Sequence, residues 1–345
     1  MAEFIANLDV GVKVGNGHFG DVHIGTDAVH GEVAVKILRQ KLGETTPAWD
    51  ARRAGLLEEA ASLKKASHKH VVQVHHILET QAKDAIHLVM EYCHGGSLQK
   101  PYEAGPMSSS EVHKIATDVA HGLCALHDRG MIHRDIKPGN ILIHRKGHAK
   151  LGDFGLVTDD IILGYAAGAG YSDHLAPEVW HNGQTSKKTD IWATGITLYR
   201  LLHGDAWYKL SPAPRHTVRD GGFADALSWL PHVSSKWRRL IRSMLNDNSS
   251  LRPADSHKLL NVLADLSTDV DWDCAFGPKN LVWTRTTAKR TIRVEMKPDI
   301  PNKYVWEAVS LPVGAGRKLT LGRSTKPVGQ AAALKELRAF FDKAR

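Results

Sequence analysis

Cysteine is scarce in this chain: Cys93, Cys124 and Cys274 are the only three in 345 residues, odd in number and far apart. That excludes a disulfide framework and offers no cysteine-type zinc set, so a reducing, cytoplasmic setting is expected. Aromatic residues make up only 7% of the chain. No apolar run approaches the ~20 residues that span a bilayer, so no membrane partner is expected. The opening "MAEFIANLDVG" is acidic and lacks the basic start and apolar stretch of an export signal. Internal repeats and low-complexity tracts are absent as well. What is present is an ordinary globular composition, 42% hydrophobic, over a length that can bury one large domain or one plus an appendage.

Charge is distributed unevenly. Residues 279–345 carry 15 Lys and Arg against 5 Asp and Glu, so the formal +8 of the whole chain belongs to its last fifth, and the rest sums to −2. A basic appendage on a near-neutral body points to a contact made by the tail.

The first 90 residues read as strands around one helix. "LDVGVKVGNGHFGDVHIGTDA" alternates apolar and polar residues on either side of a glycine cluster, which predicts two strands and a tight turn. "GEVAVKILRQ", "HVVQVHHILET" and "AIHLVMEYC" predict further strands. Between them "TPAWDARRAGLLEEAASLKKAS" predicts a helix capped by Thr46 with Pro47 at its first helical position. After about residue 95 the pattern turns helical. Ser108 stands three residues before Glu111, a capping-box spacing, and Val112, Ile115, Val119, Leu123 and Leu126 form one apolar stripe ending near Gly130. Helical patterns recur at 189–202, 235–245 and 254–266. Turn residues and little periodicity over 267–280 predict a linker, followed by four short strands and a closing helix.

Three stretches carry chemistry. "GNGHFG" at 15–20 is a G-x-G-x-x-G; a strand rather than a helix follows it, so a dinucleotide fold is disfavoured, and a glycine hairpin over phosphates or a plain flexible hairpin remains. "VAVK" ends at Lys36, a lysine of little meaning unless a carboxylate on the next helix reaches it; Glu58 and Glu59 lie there, and Glu59 is the expected partner. "MIHRDIKPGNILIHRKGHAKLGDFGL" at 131–156 holds Asp135, Lys137, Asn140 and Asp153.

Taken in order, "GNGHFGDV", "VAVK", "HRDIKPGN", "DFG", "APE" (176–178) and "DIWATG" (190–195) resemble the eukaryotic-type serine/threonine protein kinases. The resemblance covers roughly residues 9–266 and implies an α+β, two-lobed fold. It predicts a lead-in at 1–9, a small β-rich lobe at about 9–93 and a larger, mainly helical lobe at about 94–266. Beyond the 267–280 linker, 281–345 would be a basic, β-rich α+β appendage. The resemblance further implies transfer of the γ-phosphoryl group of Mg²⁺-ATP, with Mn²⁺ as an alternative ion, to a protein serine or threonine, and autophosphorylation. It makes Asp135 the base, Lys137 the contact to the transferred phosphate, and Asn140 and Asp153 the metal ligands. ATP contacts are expected from Val14, Gly15, Gly17, Phe19, Gly20, Val22, Lys36 and Glu59, and from Met90, Glu91 and Cys93 of the hinge "LVMEYCHGGSL". Phe154 would pack beneath the Lys36–Glu59 pair and Gly155 would let the loop swing. Thr158, Tyr165, Tyr171 and Ser172 are candidate phosphate carriers, which Arg134 would meet. Glu178 would pair with Arg252, and Asp190 would hold the catalytic-loop backbone.

Lys137 favours serine/threonine over tyrosine acceptors. Tyr171 replaces the family's usual threonine five residues before Ala176, and Gly139 stands where relatives that prefer basic substrates have glutamate, so peptide specificity does not carry over. Two other readings are a pseudokinase scaffold and a small-molecule kinase of the aminoglycoside phosphotransferase type; "DIKPGN" and "APE" argue against the second. The histidines His68, His70, His75 and His76 raise the question of a metal. Neighbouring histidines on a strand point to opposite faces and no Cys or acid completes a set, so no zinc site is expected. For the basic tail, contact with an acidic partner, with the kinase body or with nucleic acid, and no separate role at all, remain open.

Overall fold

Alternation at the N-terminal end builds a sheet. In the computed structural model, which describes residues 8–17, 20–65, 67–153, 174–210, 214–266, 270–276 and 280–344, β1 (Leu8–Gly17), β2 (Gly20–Asp27), β3 (Gly31–Arg39), β4 (Val74–Glu79) and β5 (Ala85–Glu91) form one antiparallel sheet in the order β1-β2-β3-β5-β4. The period of two sorts β3 cleanly. Val33, Val35 and Ile37 pack with Ala85 and Val89 on one face. Leu38, with Ile86 and Leu88, joins the main core on the other, and Lys36 shares that parity. β1 begins at Leu8, inside the expected lead-in.

Helix α1 (Thr46–Lys65) follows β3. Its first hydrogen bond runs from Trp49 N–H to the Thr45 carbonyl at 2.9 Å, so Thr45 and not Thr46 is the capping residue. The expected alternation fails in β4. Its register to β5 slips between Val74 and His76, which makes His75 an extra, bulged residue.

The second lobe is helical. In α3 (Ser109–His127) the Ser108 side chain accepts from Glu111 N–H while Glu111 accepts from Ser108 N–H, as the capping-box spacing predicts, and the whole apolar stripe is buried. Gly122 lets α3 approach closely: a Cβ there would stand 2.6 Å from the His70 carbonyl oxygen. Helix α5 (Lys187–Tyr208) is buried on nearly every side and so forms the centre of this lobe. α8 (Ser235–Met244) and α9 (Ser256–Ala264) match the remaining patterns. Short helices α2 (Gln99–Ala104), α4 (Pro177–Asn182), α6 (Pro214–Asp220) and α7 (Phe223–Ala226) have no periodic signature of their own.

The four strands expected beyond residue 281 form, and among the described residues a fifth joins them from the expected linker. β8 (Asp273–Phe276), β9 (Leu281–Thr286), β10 (Arg290–Ile300), β11 (Lys303–Pro312) and β12 (Leu319–Arg323) form an antiparallel meander covered by α10 (Gln330–Lys343). The expected 267–280 linker is corrected here. Asp273–Phe276 pairs along β9, and Trp272 packs on the Phe341 ring at 4.9 Å, so cross-strand partners decide what four residues could not announce locally. Trp283 points into the helical lobe, where its buried indole N–H donates to His232 Nδ1 at 2.9 Å. Phe341 meets the same histidine at 6.1 Å between ring centroids, and Trp207 faces Phe276 at 6.3 Å. Tail and helical lobe share one buried cluster. Among the described residues no helix is long and apolar enough to cross a membrane.

Candidate active site

A small hairpin brings the acidic groups together. After a 3-10 turn at Pro138–Asn140, β6 (Ile141–Ile143) pairs with β7 (Ala149–Leu151), and the Gly152 N–H donates to the Asn140 carbonyl at 2.9 Å. That link places Asn140 opposite the residue preceding Asp153. Asn140 is buried, and its Nδ2 donates both to the Asp135 carbonyl at 2.8 Å and to Asp135 Oδ2 at 2.7 Å. The amide is thereby oriented, and its carbonyl oxygen has no partner among the described residues.

Lys36 reaches the same place from the sheet. Its side chain is 0% exposed, and Nζ lies 2.8 Å from Asp153 Oδ1. A buried ammonium needs such a partner, because an unpaired buried charge is costly. Asp153 Oδ2 has no partner among the described residues. A carboxylate oxygen and an amide oxygen make a hard donor set, which fits a small divalent cation such as Mg²⁺.

Asp135 sits at the centre. Lys137 Nζ lies 2.8 Å from Oδ2, and His174 Nε2 lies 3.0 Å from Oδ1. Burial by itself would raise the Asp135 carboxyl; contacts with His174 and Lys137 outweigh it and hold the group far below the ordinary carboxylate range. His133 is fully buried, and burial pushes its pKa down, so it stays neutral. His174 was not singled out in the sequence; its position two residues before Ala176, in a segment already marked by "APE", was the available signal.

The loop carrying Asp135 is pinned from below. The buried Asp190 carboxylate accepts from His133 N–H at 2.8 Å and Arg134 N–H at 2.9 Å, and lies 2.8 Å from His127 Nε2. Arg134 adopts φ 70° and Asp153 φ 54°, a left-handed conformation that costs a non-glycine residue about 1–3 kcal/mol. Arg134 Nε donates to Thr185 Oγ1 at 3.2 Å. Glu178 and Arg252 form a two-pronged pair at 2.6 and 2.8 Å, with the guanidinium buried.

The glycine hairpin lies across β1 and β2. Gly20 is demanded by packing, since a Cβ there would collide with the Ile37 carbonyl oxygen. Gly15 is not, because its Cβ would only touch Val22 Cβ at 3.9 Å, so backbone access to a ligand is the better reason for it. Val14 is exposed and Val22 half-buried. At the hinge, Met90 and Glu91 are half-buried and Cys93 is buried. The Glu91 N–H already donates to the Gln73 carbonyl at 2.9 Å, and its carboxylate lies 2.8 Å from Lys150 Nζ. The chain then runs along β6, with Gly95 and Leu98 donating to Ile143 and Ile141. Several expected site residues lie outside the described residues: Phe19, Phe154, Gly155, Thr158, Tyr165, Tyr171 and Ser172, and the side chains of Gly17's segment and Glu59.

Residues 8–262 match the protein kinase domain family. Similar proteins include CBL-interacting protein kinase 17 of Oryza sativa subsp. japonica, 34% identical over 209 residues, covering 58% of this chain and 44% of that protein. MAP3K epsilon protein kinase 1 of Brassica napus is 36% identical over 265 residues, covering 73% and 19%. Hormonally up-regulated neu tumor-associated kinase homolog A of Xenopus laevis is 30% identical over 261 residues, covering 73% and 37%. The chain spans less than half the length of each of these relatives.

Proposed function

Because this chain belongs to the protein kinase family, we propose that it transfers the γ-phosphoryl group of ATP to a serine or threonine hydroxyl of a protein, itself included. One observation carries the reading: Lys36 lies 2.8 Å from Asp153, Lys137 and Asn140 lie 2.8 and 2.7 Å from Asp135, and the Gly152 N–H to Asn140 carbonyl bond at 2.9 Å sets the two groups side by side.

Lys36 would hold the α- and β-phosphates, with Asp153 fixing its position. Asn140 and Asp153 would hold Mg²⁺ through the two oxygens that have no partner among the described residues. When bound, that ion supplies positive charge against the phosphate oxygens. Lys137 would meet the transferred phosphate. The depressed Asp135 carboxylate is a weak base, which suits a loose transition state in which the incoming hydroxyl needs orientation before it needs deprotonation. Gly15 would let the hairpin backbone approach the phosphates, and the Met90–Cys93 segment would receive the adenine. We place the tail's role within the chain, supported by the Trp283–His232 bond and the shared core.

Purified wild type, Asp135→Asn and Lys36→Ala, incubated with radiolabelled Mg²⁺-ATP and a generic basic protein, test this. Each variant is expected to lose at least about 100-fold in incorporation while keeping its far-ultraviolet circular dichroism. Incorporation by either at the wild-type rate would refute the assigned roles.

A further inference from the structure

The bulge in β4 undoes the argument that adjacent histidines must face opposite ways. His75 is the extra residue, and both it and His76 turn toward the β2–β3 turn. There His30 stacks on His75 with ring centroids 3.9 Å apart and planes 11° from parallel, and it stands 5.1 Å from the His76 ring. An acid completes the group. Asp27 closes β2 with its carboxylate buried, and its Oδ1 accepts from Val29 N–H at 2.9 Å and His30 N–H at 2.8 Å. Its other oxygen, Oδ2, lies 3.6 Å from His76 Nε2, an atom that is buried and has no hydrogen-bond partner among the described residues.

We propose that Asp27, His30 and His76 form a binding site for a zinc-class divalent cation, remote from the catalytic acids and absent from the roles assigned above. Ligand atoms of the three residues all lie within 4.8 Å of one another. Two ligands of a tetrahedral zinc ion stand about 3.3 Å apart, so Asp27 and His76 are already near that spacing. His30 alone must close the remaining gap, and it sits on an exposed turn where a rotamer change is cheap. Two imidazoles and one carboxylate suit zinc, cobalt or nickel better than Mg²⁺.

Surrounding groups fit. The two backbone N–H bonds to Asp27 Oδ1 orient the carboxylate as an outer shell does at metal centres. His75, stacked on His30, keeps that ring near the site. A bound ion would tie the β2–β3 turn to the bulge, next to Val74, which pairs with Met90.

The test uses the full chain, free of any histidine tag and stripped with chelator, titrated with Co²⁺ in Mg²⁺-free buffer. One equivalent is expected to give visible ligand-field absorption that one equivalent of Zn²⁺ removes. His30→Ala and Asp27→Asn should each weaken binding at least about tenfold. Both keep the turn: His30 is exposed, and asparagine would still accept the two backbone bonds. His148→Ala, in the separate His70–His121–His148 cluster, and Asp153→Asn should leave Co²⁺ affinity unchanged. Absence of binding, equal affinity in His30→Ala and wild type, or loss in His148→Ala or Asp153→Asn would each overturn the site.

Discussion

Removing the indole N–H of Trp283 tests how firmly the tail is joined to the helical lobe. Trp283→Phe keeps most of the apolar contact with Phe341, whose ring lies 5.4 Å away, but strands the buried His232 Nδ1. An unsatisfied buried acceptor costs roughly 1–3 kcal/mol, and the smaller ring leaves a partial cavity, so about 2–4 kcal/mol is expected. That is a large share of the 5–15 kcal/mol typical of a folded domain. His232→Leu strands the indole donor by a similar amount, whereas the double variant strands neither group. Its loss should fall short of the sum of the single losses by roughly 1–2 kcal/mol. Urea unfolding followed by far-ultraviolet circular dichroism reads all three. The same bond requires His232 to be neutral. Burial, then the charge of Arg238, pushes its pKa down to about 3 from an ordinary 6.5. Below pH 6.5 the unfolded chain takes up a proton that the folded chain refuses, so stability falls by roughly 1 kcal/mol per pH unit until about pH 3. His203, pushed to about 3 chiefly by burial, and the buried His133 add losses of the same sign, so His232→Leu should reduce the slope without abolishing it. Additive single losses within about 0.5 kcal/mol, or an unchanged slope in His232→Leu, would mean the tail does not dock this way.

Other parts of the fold respond predictably. Arg252→Ala leaves Glu178 partly buried and unpaired in the first turn of α4, and about 3–5 kcal/mol should be lost in the same urea assay; a loss under about 1 kcal/mol would deny the pair its bracing role. Gly122→Ala drives a methyl to 2.6 Å from the His70 carbonyl oxygen, so about 1–3 kcal/mol and a lower melting temperature are expected; unchanged melting would mean α3 is not so tightly seated.

Local chemistry wrote part of this architecture legibly into the sequence. Ser108 and Glu111 cap α3 through neighbours three residues apart, and the stripe from Val112 to Leu126 follows from helical period alone. The motif order likewise named Asp135, Asn140 and Asp153, and the hairpin that joins them is short-range. What escaped depends on partners distant in the chain. β8 exists because β9 lies beside it, and Trp283 finds His232 across 51 residues. The slip that gathers His75 and His76 on one side is a register event between β4 and β5, invisible in β4 alone. His174 belongs to the Asp135 environment through a contact 39 positions away in sequence, and no period marks it.

Arg134 and Asp153 hold a backbone geometry that glycine would adopt at lower cost. On the function proposed above, selection for turnover opposes selection for robustness at Asp153. A descendant relieved of catalysis would gain by drifting to glycine at residue 153, trading the carboxylate for a quieter chain. In this corner of the molecule, lost activity and increased durability would be inherited together.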